Sequence, residues 1–173
     1  MARYRDMPVT GKVSVATGIS ERTTGTAGGY STKLTVNTSF PAIAGGANLA
    51  VGKLAMTFPA GRIIVNATGI SLAAQQTEDN VTADTPDLGI GTTIGSGVVA
   101  VLGGTAGFEN MLTGQTLDDC DGTVEDLTLG TQLIIEAADS HDVFINIADG
   151  WAADGDAALG IVGDVVINWA HLD

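Results

Sequence analysis

The sequence lacks basic residues over most of its length. All seven Lys and Arg residues lie at or before Arg62, whereas eighteen of the twenty Asp and Glu residues lie after it. The first part therefore carries a charge of about +5 and the remainder about −18. A charge split this complete predicts a molecule with two different faces, one of which meets a partner. An acidic body repels phosphate groups, so nucleic acid is not an expected partner.

Cysteine, aromatic residues and long apolar runs are also scarce. The lone Cys120 excludes an intrachain disulfide, and its acidic neighbours disfavour a reactive thiolate. With eight aromatic residues and 24 glycines, the core must be built from Val, Ile, Leu and Ala, while glycine serves turns and bulges. No stretch approaches the roughly 20 apolar residues of a membrane helix, and the N-terminus has no apolar signal region. We therefore expect folding in a reducing cytosol and no membrane contact.

Short strand patterns separated by turn residues fill most of the chain, and helical periodicity is weak. Eight or more such segments predict an all-β fold, an antiparallel β-sandwich or jelly-roll-like single domain. In the last segment the alternation puts Val165, Ile167 and Trp169 on one face. Residues 133–137 and 143–148, joined by 138–142, are predicted to form a β-hairpin.

The first 32 residues are predicted to be an extended N-terminal arm, and residues 33–173 the sandwich domain. The stretch 18–31 is rich in Gly, Thr and Ser and has no helical period, a composition typical of flexible segments. A strand at 12–16 followed by a long loop of the same domain remains an alternative.

Catalytic residue types occur together only once. Asp139, Ser140, His141 and Asp142 are consecutive, but triads are assembled from separate loops, and these residues are natural turn formers. The other histidine, His171, ends the last strand. The glycines of residues 89–95 lack the Lys-Ser/Thr that completes a phosphate-binding loop, and we interpret them as bends. We therefore expect no enzymatic activity and no cofactor.

Metal sites have weak support. One Cys and two His cannot make a structural zinc site. Calcium is more open, because residues 118–126 contain five acidic residues and Asp154 and Asp156 flank a glycine. Neither stretch has the ligand spacing of a helix–loop–helix calcium site, so acidic surface turns are the favoured interpretation.

The two tryptophans suggest one further binding chemistry. Trp169 is expected to pack in the core. Trp151 and its neighbours Asp149 and Asp154 could hold a sugar ring, so a carbohydrate-binding module remains an alternative function.

Residues 58–72, 87–116 and 139–157, which lead into 163–172, resemble the decoration or cement proteins of tailed-bacteriophage capsids. The resemblance implies a jelly-roll-like fold, trimers or other clusters at capsid symmetry axes, and stabilisation of an expanded shell, without catalytic residues. It places the protein on the outer surface of the virion after synthesis in the host cytoplasm. The long acidic tract without a base departs from an average member.

The sequence therefore predicts a structural virion protein that binds the major capsid protein, with a homotrimer favoured. A tail tube, fibre or spike component is the alternative within the virion. The N-terminal arm is the expected contact, because its cations can meet an acidic protein surface. The docking residues predicted are Arg3, Tyr4, Arg5, Lys12 and Arg22.

Overall fold

Strands dominate the part of the chain that the structure describes. A computed structural model describes residues 13–26, 29–40, 50–76, 86–96, 102–104, 106–116, 121–127, 132–148 and 158–172. Within them lie eleven strands and one 3₁₀ turn, Leu102–Gly104. The strands are β1 (Ser14–Val15), β2 (Ile19–Thr26), β3 (Gly29–Phe40), β4 (Val51–Thr57), β5 (Ile63–Gln76), β6 (Asp87–Gly91), β7 (Leu112–Thr116), β8 (Asp121–Leu127), β9 (Leu133–Ile135), β10 (Asp142–Ala148) and β11 (Leu159–His171). Among these residues no helix is long and apolar enough to cross a membrane.

The strands form two antiparallel sheets. The first sheet has the order β1-β4-β10-β6-β7, and the second has the order β2-β3-β11-β5-β8, with β9 also paired to β5. One apolar core contains side chains from both sheets, among them Met56, Ile145 and Leu34. The predicted all-β sandwich is therefore confirmed.

The last strand lies at the centre of the second sheet. It pairs with β3 from Leu159↔Phe40 to Trp169↔Tyr30 and with β5 along its whole length. The predicted alternation is confirmed, because Val165, Ile167 and Trp169 are all buried. Each strand of a sandwich needs one apolar face, and a period of two supplies it.

Trp169 anchors one end of this core. Its indole Nε1 donates a hydrogen bond to Thr32 Oγ1 at 2.9 Å. The ring stacks on Tyr30 at 4.5 Å between centroids and meets Phe58 edge to face at 5.3 Å. A buried indole needs an acceptor for its N–H, and the buried hydroxyl of Thr32 supplies one inside the core.

One expectation about local structure is wrong. Residues 133–148 do not form a hairpin, because β9 belongs to the second sheet and β10 to the first. The connection 136–141 crosses between the sheets, and a short polar turn suits either a hairpin or such a crossing.

The boundary of the N-terminal arm also needs correction. The described part of the first 32 residues belongs to the sheets: β1 pairs with β4, and β2 pairs with β3 from Ile19↔Val36 to Thr26↔Gly29. Gly, Thr and Ser suggest a flexible chain when they stand alone, but a neighbouring strand satisfies their backbone groups and orders them. Residues 1–12 lie outside the described residues.

The outer face of the first sheet is covered by the chain itself. A second apolar cluster, formed by Ala50, Leu102, Phe108 and Ala148, lies there. Gly91 permits the close approach of this cover, because a Cβ at this position would overlap the backbone oxygen of Gly107.

Buried Asn146 on β10 ties this cover to the sheet. Its Nδ2 donates to the backbone oxygens of Thr93 at 3.0 Å and Phe108 at 2.7 Å. Its Oδ1 accepts from the Gly95 amide at 2.6 Å. One side chain thus forms hydrogen bonds with three backbone groups of the cover.

We predict that Asn146→Ala lowers the free energy of unfolding by about 2–4 kcal/mol, because three backbone groups lose a hydrogen bond and two of these bonds are buried. Urea denaturation followed by circular dichroism measures this change. The control is Asn168→Ala on β11, an exposed asparagine, which should change stability by less than about 0.5 kcal/mol. Equal effects of the two substitutions would contradict the role of Asn146.

Candidate docking site

His141 fastens one connection between the sheets to another. Its Nδ1 lies 2.9 Å from the backbone oxygen of Asp139, and its Nε2 lies 2.7 Å from the backbone oxygen of Gly61. The Phe58 amide donates to the backbone oxygen of His141 at 2.9 Å. Both ring nitrogens therefore face the main chain, and Ser140 Oγ instead accepts from the Asp142 amide at 3.3 Å. This loop is not arranged as a nucleophile–base pair, which requires the hydroxyl on the imidazole.

The acidic stretches of the sequence do not form a metal site in the part of the chain that the structure describes. Residues 118–120 and 149–157, which include Trp151, Asp154 and Asp156, lie outside the described residues. Asp121–Leu127 is strand β8. Among the described residues no group of three or more His, Cys, Asp or Glu side chains is close enough to hold a metal ion. A calcium site at residues 118–120 or 149–157 stays an alternative predicted from the sequence.

An open depression of about 300 Å³ lies beside the 136–141 connection. Its walls are Thr92, Thr93 and Asn110 on one side and Leu133–Ile135, Asp139 and Ser140 on the other. Asn110 is already engaged, since its amide nitrogen donates to Thr92 Oγ1 at 2.9 Å and its oxygen accepts from the Thr92 amide at 3.0 Å. The lining has no aromatic ring on which a sugar could stack.

Three of the four described cations have partners within the protein. Arg62 forms a two-pronged ion pair with Glu136, with N–O distances of 2.9 and 3.0 Å. Lys33 Nζ lies 2.8 Å from Asp164 Oδ2. Lys53 donates to Thr38 Oγ1 and to the backbone oxygen of Ser39. These three residues therefore serve the body of the sandwich.

Arg22 is the described cation without such a partner. It is exposed on β2, directly opposite Lys33 in register. No hydrogen bond or ion pair connects it to another described residue. Lys33 is paired with Asp164, but like charges on neighbouring strands repel, so an anionic group on a partner would stabilise Arg22 at this position.

Strand β2 presents an open sheet edge. It ends the second sheet and pairs with β3 on one side alone among the described strands. Ser20, Arg22 and Thr24 are exposed along it. An unpaired edge offers a row of backbone donors and acceptors to a partner. We call residues 19–26 together with Lys33 the basic edge.

Several large apolar side chains are exposed on the outer face of the second sheet. Four of the five large apolar side chains that are most exposed belong to it: Val124, Ile134, Val162 and Leu172. Val162 on β11 lies opposite Ala73 on β5, and Ala73 lies opposite Val124 on β8, so they form one row. Exposed apolar patches on this scale indicate an interaction surface. We call this surface, carried by β11, β5, β8 and β9, the apolar face.

Asp164 is the charged residue in the middle of the apolar face. Hydrogen bonds from Lys33 and from Thr35, whose Oγ1 donates at 2.9 Å, hold the pKa of the Asp164 carboxyl below its ordinary value of 3.8. It is the one Asp, Glu, Lys or Arg within β5 and β11. The pair with Lys33 neutralises it, so β5 and β11 carry no net charge, whereas β8 contributes Asp121, Glu125 and Asp126.

No known protein-family model matches this sequence, and no curated protein is significantly similar to it.

The docking residues predicted from the sequence stay a prediction. Arg22 lies on the basic edge as an exposed cation, whereas Arg3, Tyr4, Arg5 and Lys12 lie outside the described residues. The apolar face was not identified. Its signal was present in the sequence, because β5 and β11 contain small or apolar residues at outward as well as inward positions.

We predict that Asp164→Asn lowers the free energy of unfolding by less than about 1 kcal/mol at pH 7, since the ion pair is exposed. The folded carboxyl has a lowered pKa, so its contribution exists above pH 3.8 and is lost as the pH falls below that value. Urea denaturation of both proteins across this range measures the effect. In the Lys33→Gln background the same substitution should cost less. A difference that persisted unchanged in strong acid would contradict this account.

Proposed function

We propose that this protein is a structural component of a virion, a decoration protein that binds the outer surface of a tailed-phage capsid through its basic edge. The observation that carries the proposal is Arg22, an exposed cation without a described partner on an open edge strand. In a chain of net charge −13, every cation that can face outward matters for where a partner binds. The other cations predicted to contact the capsid, Arg3, Arg5 and Lys12, precede β2 in the sequence.

The order of the strands supports the resemblance to capsid proteins. Without β1, β2 and the short β9, eight strands remain, β3 to β8, β10 and β11. Counted along the chain, the second sheet contains the first, eighth, third and sixth of them, and the first sheet contains the second, seventh, fourth and fifth. This is the order of a jelly roll, a double Greek key common in viral capsid proteins. We infer that the sandwich is a jelly roll to which β1 and β2 add outer strands.

The proposed mechanism is an electrostatic and backbone clamp. The edge of β2 offers unpaired backbone groups to an extended segment of the major capsid protein. Arg22 and the cations at 3, 5 and 12 would meet carboxylates on the same surface, and such rim charges govern the rate and orientation of binding. The acidic remainder faces solvent and repels other acidic surfaces.

A position on the tail tube, fibre or spike would use the same edge, and imaging of the particle separates these locations. The carbohydrate-binding alternative concerns Trp151, Asp149 and Asp154, which lie outside the described residues, and stays a prediction.

We predict that Arg22→Gln weakens binding to purified undecorated capsids by about threefold to tenfold, because one charge-assisted contact is lost. Occupancy is measured by sedimentation of capsids with increasing amounts of protein. Arg62→Gln is the matched control, since it removes the same charge from an ion pair with Glu136 away from β2. Equal binding by both variants and the unchanged protein would contradict the assignment of Arg22.

We predict that deletion of residues 1–12 lowers capsid occupancy further, because four more predicted contacts, Arg3, Tyr4, Arg5 and Lys12, are removed together. The deletion stops before buried Val13 and retains β1. Circular dichroism should therefore show the same strand content as the full chain. Undiminished occupancy of the shortened chain would overturn the role given to these residues.

A further inference from the structure

The imidazole of His141 lies between two backbone carbonyl groups. Its Nδ1 is 2.9 Å from the oxygen of Asp139, and its Nε2 is 2.7 Å from the oxygen of Gly61. A carbonyl oxygen accepts hydrogen bonds and donates none, and a neutral imidazole has a single N–H. In either neutral tautomer one ring lone pair would therefore face a carbonyl lone pair at hydrogen-bond distance. The protonated ring has two N–H groups and fits both oxygens.

The backbone holds both acceptors in place. Gly61 lies in the turn between β4 and β5 with a φ of 120°, which a residue with a side chain rarely adopts. In the other connection the Asp139 amide donates to the backbone oxygen of Glu136 at 2.9 Å, and the Glu136 amide donates to Asp139 Oδ2 at 3.1 Å. The Phe58 amide donates to the backbone oxygen of His141 at 2.9 Å. These bonds keep the two carbonyl groups beside the ring whatever its charge.

The charged groups of these connections leave an excess of acid around the ring. Asp139 and Asp142 precede and follow His141 closely in sequence. Arg62, the cation of the same connections, forms an ion pair with Glu136, and this pair carries no net charge. The chain as a whole has a net charge of −13. Negative surroundings favour the charged form of a histidine, in agreement with the two carbonyl acceptors.

We propose that protonated His141 fastens the connections 58–62 and 136–141 together, so that this end of the sandwich is held more firmly in mild acid than in mild base. Histidine is the side chain whose charge ordinarily changes between about pH 5 and 8. When the ring loses its proton, one of the two hydrogen bonds is lost. The connection 136–141 also forms one wall of the depression, through Asp139 and Ser140, so this wall becomes less firmly held as the pH rises.

The first test is urea denaturation of the full chain at several pH values from about 5.5 to 8. The folded protein binds the proton of His141 more tightly than the unfolded chain does, so this contribution to stability is present in mild acid and lost as the pH rises. The unfolding equilibrium constant should rise about tenfold across the range, the effect of one charge-assisted hydrogen bond. His141→Gln cannot change its charge and should lose most of this dependence. A variant that kept all of it would overturn the proposal.

His171→Gln is the matched control. His171 is exposed at the end of β11, and its ring contacts the rings of Tyr30 and Trp169. Among the described residues no hydrogen bond involves its ring nitrogens. Each substitution removes one imidazole from the same acidic protein, so a general attraction for protons would make their effects equal. His171→Gln should instead keep most of the tenfold dependence, and equal losses in the two variants would overturn the role given to His141.

The ring N–H groups of His141 provide a second readout, which requires no variant to fold. Nuclear magnetic resonance of the isotope-labelled, unchanged protein should show two slowly exchanging ring N–H protons for His141 at about pH 5.5 and one at about pH 8. A single ring N–H at the lower pH would overturn the proposal. Both measurements use the isolated chain, so their outcome is independent of capsid binding.

Discussion

The structure depends on the insertion of the last strand between two strands that lie much earlier in the sequence. β11 pairs with β3 on one side and with β5 on the other over nearly its full length. This double ladder brings Trp169 to Thr32 in the core and Asp164 to Lys33 on the outside. Without β11 the second sheet would be two separate pieces, each with an open edge. Such long-range pairing costs loop-closure entropy before its contacts form, and it is typical of slow-folding β-proteins.

The same constraint gives the sandwich two unequal outer faces. A strand at the centre of a sheet must bury one set of alternate residues, but nothing in the pairing requires the other set to be polar. In the first sheet the outward residues of β10 are used to hold the chain's own cover, through Ala148 and Asn146. In the second sheet no described residue packs over the outward side of β11 and β5 in this way, and Val162 remains exposed there.

Contacts between distant parts of the chain give structural roles to residues whose types suggested catalysis or partner binding. His141 stands in a loop with Ser140 and two aspartates, yet its ring links the backbone at Asp139 to that at Gly61, 80 residues away in sequence. Arg62 belongs to the cationic part of the chain, yet its two-pronged pair with Glu136 uses it within the sandwich. Both residues hold together the connections at one end of the molecule. Residue types alone do not distinguish such structural roles from functional ones.

The sequence by itself determined the fold class and the inward faces of its strands, since alternation with period two in 33–40 and 164–172 needs no knowledge of partners. It also determined the charge asymmetry, from which Arg22 is predicted to be a docking residue. Only the tertiary structure decided that 133–148 crosses between the sheets, that β1 and β2 join them, and that Arg22 alone among the described cations lacks a partner. The physical reason is that a strand pattern specifies which side chains are buried but not which strands pair. Which strands pair depends on interactions along the whole chain, and the ion pairs and the exposed apolar face follow from that pairing.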